Sequence, residues 1–150
     1  MLRCRSSRAI GPALVFSAAL VTHMSVRADD TDAKNFITIA TSSVPSPSDS
    51  RIEVVNRQFE VIREYCRSTS RGASIGDKVA KSHSLLTVQQ SLLAFLGDFV
   101  GVARAQCSHV DDSTLLSLYV LERNAGASHT STIGRLTRNP GALVAKWSSR

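Results

Sequence analysis

Gly72-Ala73-Ser74-Ile75-Gly76 has the G-x-S-x-G spacing of a serine-hydrolase elbow, and Asp98, Asp112 and then His129 follow it in the chain order serine, acid, histidine. An elbow works because its serine sits on a strained turn between a buried strand and a helix, with a backbone N–H beside it to hold an oxyanion. The residues before this one are Arg67-Ser68-Thr69-Ser70-Arg71, which cannot make a buried strand. The stretch therefore reads as a glycine-serine loop. A small serine hydrolase built on Ser74 is kept as an alternative function.

His109, Asp111 and Asp112 stand together, with His83 and His129 elsewhere, and such nitrogen and oxygen donors can ligate a divalent cation. None has the H-x-x-x-H or C-x-x-C spacing of paired ligands, and no phosphate loop or dinucleotide fingerprint occurs. The expectation is helix-capping carboxylates beside an exposed histidine, with no metal and no cofactor.

After Glu122 there is no acidic residue, while Arg123, Arg135, Arg138, Lys146 and Arg150 remain. Interleaved with Ile133, Leu136, Leu143 and Trp147, these cations suit a protein partner or an anionic membrane surface, with Arg135, Arg138, Lys146 and Trp147 as the contact residues. They are too few for nucleic acid. Pro140 interrupts the amphipathic face, so the tail is expected to fold as two short helices.

Cys66 and Cys107 are expected to form one disulfide, closing a loop of about 42 residues worth on the order of 4 kcal/mol in a chain-entropy account. Both fall near the C-terminal ends of expected helices. An antiparallel hairpin would hold them apart by about the length of a helix, some 36 Å. The bond thus requires the two helices to run parallel or to cross near those ends.

The elements that must position these residues centre on Ser84–Cys107, SLLTVQQSLLAFLGDFVGVARAQC, read as one buried central helix. Leu85, Val88, Leu92, Phe95, Phe99 and Val102 form one apolar stripe, with a second beside it from Leu86 through Leu93, Leu96, Val100 and Ala103. Gly97 and Gly101 share a face and predict a close helix crossing. Asp98, between the stripes, is expected to be exposed or paired with an arginine such as Arg63. Ahead of it, Ser50 and Glu53 have capping-box spacing, and Ile52, Val55, Phe59, Ile62 and Cys66 recur at helical intervals. Residues 68–83 read as a connection with a helical turn or two over 77–81. A third helix, capped by Asp112 or Ser113, runs through Leu115, Leu118, Tyr119 and Glu122 and ends at Asn124 and Gly126; a strand over 114–122 is the rival.

The first 28 residues read as a signal peptide: Arg3, Arg5 and Arg8 precede an apolar run from Ile10 to Val21, too short to span a bilayer. Val26 and Ala28 fit a cleavage site after Ala28. Mitochondrial import is the alternative. Cleavage removes Arg3, Arg5, Arg8 and Arg27 and no acid, so the net charge of +6 falls to +2. Residues 29–49 read as a disordered arm and linker, with FITIAT over 36–41 irregular or weakly extended, and 50–148 as a single domain. The sequence thus predicts an all-α bundle of three to five helices around a buried central helix. Its expected role is a non-enzymatic, periplasmic or secreted protein that binds an unidentified protein partner.

Overall fold

The computed structural model describes residues 26–66 and 74–149. The leader expected over residues 1–28 lies almost wholly outside the described residues, as do Gly72 and Ala73. Seven helices are described: α1 (Val26–Thr41), α2 (Ser50–Tyr65), α3 (Ile75–Ser84), α4 (Leu92–Gln106), α5 (Asp112–Asn124), α6 (His129–Arg138) and α7 (Pro140–Ser148), with no strand among the described residues. The all-α expectation holds, with more helices than the three to five predicted. The segment 114–122 is helical.

Residues 30–41 are not an arm. Ala33, Phe36 and Ile37 are buried, with Ala40 partly so, a three-four spacing that gives α1 one apolar face against α2 and α3. Its β-branched threonines are accommodated by back-bonding: Thr38 Oγ1 donates to Lys34 O at 2.8 Å and Thr41 Oγ1 to Ile37 O at 2.9 Å. Ser42, at φ 54°, takes the left-handed conformation that ends the helix. The rings of Phe36 and Phe59 then meet edge to face at 5.4 Å.

The central helix is shorter than expected. α4 starts at Leu92, after an irregular connection over 85–91, and Leu85 is 60% exposed rather than part of the buried stripe. The side chain of Asn124 at the end of α5 competes for the backbone there: its Oδ1 accepts from Thr87 N at 2.9 Å and its Nδ2 donates to Leu85 O at 2.8 Å. Leu92, Phe95, Leu96, Phe99, Val102 and Ala103 are buried, and α4 packs against α1, α2, α3, α5 and α6. It is the hub of the bundle.

Cys66 and Cys107 are the C-caps of α2 and α4 and pair as a disulfide with Cα atoms 4.5 Å apart. The C-terminal ends of these helices therefore come together, as the bond requires. The caps shift by one residue from those expected. Asp49, not Ser50, caps α2 by accepting from Arg51 N, and Asp111, not Asp112, caps α5 by accepting from Thr114 N at 2.9 Å. α5 ends in a Schellman turn, with Gly126 at φ 88°, Ala127 N bonded to Glu122 O and Gly126 N to Arg123 O. In the tail Asn139 caps α7 and Pro140 opens it, giving the two short helices expected.

The close approach predicted at Gly97 and Gly101 lies elsewhere. A Cβ at Gly101 would meet nothing within 4 Å, and one at Gly97 would make only ordinary contact with Gln58 Nε2 at 3.4 Å. It is Gly76, on the first turn of α3, that the core requires: a Cβ there would stand 3.1 Å from Phe59 Cζ and 3.3 Å from Phe36 Cδ2.

Candidate functional site

Ser74 is the N-cap of α3, and its Oγ accepts from Asp77 N at 3.1 Å. Its hydroxyl fastens a helix start. Among the described residues Asp98, Asp112 and His129 are engaged elsewhere. Asp98 and His129 do come together, but in a different company: Asp98 Oδ2 lies 3.3 Å from His129 Nε2 and accepts from Gln90 Nε2 at 3.1 Å, so its partners are not Arg63. Tyr119 Oη closes a ring, 2.8 Å from Gln90 Oε1 and 2.9 Å from His129 Nδ1. Because Gln90 points its amide N–H groups at Asp98, its oxygen necessarily faces the tyrosine. Burial raises the Tyr119 phenol above its ordinary range, outweighing the opposite effect of its hydrogen bond to Gln90. With Tyr119 2% exposed and its ring 5.0 Å from that of Phe95, the ring of hydrogen bonds ties α4, α5, α6 and the 85–91 connection together.

The metal candidates scatter. Asp111 is the cap of α5, and the hydrogen bond from Thr114 Oγ1 holds its carboxyl below the ordinary range. Asp112 is buried against Lys78 at 2.8 Å, His83 Nε2 meets Gln90 O, and His109 is exposed. No group of three His, Cys, Asp or Glu residues is placed to hold a metal among the described residues.

Three of the four tail residues selected from the sequence converge on one buried carboxylate. Glu122 is 0% exposed. Its Oε2 accepts from Arg135 Nη1 at 2.7 Å, and its Oε1 accepts from Trp147 Nε1 at 2.9 Å and from Lys146 Nζ. Arg138 instead bonds Gly134 O from its Nε at 3.0 Å. Charge-assisted bonds of this kind are the stronger ones. Glu122 shares the i, i+3, i+7 line of Leu115 and Leu118, so its inward placement follows from helical spacing.

The outward face of α5 carries Ser113, Ser117 and Leu121, four residues apart. On one side a cleft of about 380 Å³ separates it from α3, lined by Lys78, Lys81, Leu85 and Leu116. On the other, a groove of about 300 Å³ separates it from α7, lined by Leu118, Val144 and Trp147. The result is a trough with small side chains along its floor. Leu85 borders the cleft and Val144 the groove, exposed at 60 and 36%, and Leu121, one turn beyond Ser117 on α5, is 40% exposed.

No family model, no curated protein and no solved structure matches this chain. The functional reading therefore rests on the geometry of the ring, the Glu122 anchor and the trough. The first two are internal fastenings. The trough faces outward.

Proposed function

We propose that this chain is a small exported protein without catalytic function that binds a protein partner along the outward face of α5. The observation that carries this reading is that Leu85 beside the cleft, Val144 beside the groove and Leu121 on the outward face of α5 are all exposed. Exposed apolar side chains gathered on one face mark association surfaces more often than singly scattered ones do. Ser74, Asp111, Asp112 and Glu122, by contrast, are engaged in caps and ion pairs. Export is supported by the leader-like sequence of residues 1–28 and the Cys66–Cys107 disulfide, which suits an oxidising compartment. No helix among the described residues is long and apolar enough to cross a membrane. The periplasm or the extracellular medium is the proposed location. Docking of the tail on an anionic membrane is a weaker reading, because Arg135 and Lys146 direct their charges at Glu122.

The test is affinity capture by the oxidised full chain from its native envelope or medium, run beside a Leu85→Asp/Leu121→Asp variant of unchanged circular dichroism. A protein retained by the first and lost from the second is the expected result. Equal retention by both, or none by either, overturns the reading.

A further inference from the structure

Only Pro140 and Leu143 are buried among the nine residues of α7. Trp147 is partly buried against the core, and this modest apolar burial is set against the ordering of a short helix. Glu122 adds a polar hold, taking Lys146 Nζ and Trp147 Nε1 from α7 on one oxygen and Arg135 from α6 on the other. A carboxylate with no solvent contact requires N–H donors whichever chain supplies them. Beside it, an open groove lined by Ser113, Thr114 and Ser117 of α5 and by Val144 and Trp147 of α7 runs along the contact between the two helices.

We propose that α7 is a displaceable occupant of this seat, and that the seat is the docking site for a partner helix presenting a leucine, then a lysine or arginine three residues later, then a tryptophan. That is the pattern α7 itself shows in Leu143, Lys146 and Trp147. The proposal rests on the reading of the chain as an interaction protein and names the chemistry of its partner. Displacement exchanges two donors to Glu122 for two equivalent ones, while Arg135 stays in place. A helix with an apolar residue at the cationic position leaves the carboxylate partly unsatisfied and is rejected. The competitor is tethered through the single residue Asn139 between α6 and α7, so its effective concentration is high and the partner must exceed it.

The experiment titrates a fluorescent peptide of residues 139–150 into the oxidised full chain, in wild-type form and as a Lys146→Met/Trp147→Phe variant whose own α7 is weakened. The peptide is expected to bind the variant saturably and at least tenfold more tightly than the wild type. The same peptide carrying the Lys146→Met and Trp147→Phe changes should lose that binding, a control that leaves the protein untouched. Absence of saturable binding to the variant, or equal binding of both peptides, overturns the proposal. Light scattering without peptide should report a monomer. A concentration-dependent dimer that the peptide dissolves would assign the seat to α7 of a second copy and overturn the partner helix. A failure here with the Leu85/Leu121 dependence of capture intact would sink the α7 seat alone, whereas loss of that dependence strikes the interaction reading itself.

Discussion

Lys78 Nζ lies 2.8 Å from Asp112 Oδ2, an ion pair between α3 and α5 whose side chains are only 13 and 5% exposed. The other oxygen of Asp112 accepts from Ser113 N at 2.8 Å, so the carboxylate is held from both sides. Removing one member of a buried pair strands the other's charge, whereas replacing both with apolar residues is often close to neutral. Lys78→Met, which leaves the buried Asp112 carboxylate without its cation, should therefore cost about 3–5 kcal/mol in urea unfolding, and Lys78→Met/Asp112→Leu should recover most of it. A double variant as unstable as the single one would show that the ion pair is not the source of the loss.

Glu122 ties the C-terminal helices to pH. Burial disfavours its charge, but the hydrogen bonds from Lys146, Trp147 and Arg135 outweigh that and hold the carboxyl below its ordinary value of 4.5. Its value in the folded chain is thus depressed relative to the unfolded one. The stability it contributes is fully present above about pH 4.5 and is lost as the pH falls through the depressed value. Amide exchange in α7 should quicken first on acidification, ahead of α2 and α4. Glu122→Gln should remove this acid step and leave α7 already loose at neutral pH; an unchanged acid profile in that variant would assign the step to another group.

Two glycines should respond to alanine with opposite signs. Gly76→Ala drives a methyl toward Phe59 and Phe36 in the core and is expected to destabilise by about 1–3 kcal/mol. Gly101→Ala adds a methyl in open space within α4 and should stabilise by up to about 1 kcal/mol, from helix propensity alone. Thermal melts of the two variants side by side check this, and the same sign in both would contradict the packing described.

Periodicity made some of this fold legible. Ile52, Val55, Phe59 and Ile62 are buried as their spacing predicts, and Asn139-Pro140 divides the tail where a missing backbone N–H demands it. The disulfide followed from two cysteines remaining in a chain whose leader reads as an export signal, and their helix-end positions set the geometry it requires. α1 was obscured because threonine and isoleucine in FITIAT favour extended chain locally, while Ala33, Phe36, Ile37 and Ala40 already had helical spacing. The break before Leu92 has no proline or glycine to announce it, because its cause is a tertiary contact from Asn124. In the trough, Ser113 and Ser117 are ordinary solvent-facing serines until α3 and α7 rise on either side. Glu122 was the detectable omission. A carboxylate on an apolar stripe, followed by a chain with cations and no acid, is a signature of a buried ion pair.

The disulfide also changes the connectivity of the molecule as a covalent graph. Residues 66–107 become a macrocycle that contains α3 and α4, with α1–α2 and α5–α7 as two branches leaving from the two half-cystines, whose Cα atoms are 4.5 Å apart. A protease that cuts once in the exposed 85–91 connection opens the ring without dividing the molecule, since the branches stay joined through sulfur. A cut between α1 and α2, outside the ring, leaves α1 attached by packing alone. The oxidised chain can therefore be nicked in one of its exposed connections and still travel as a single particle, and only reduction would let the halves part.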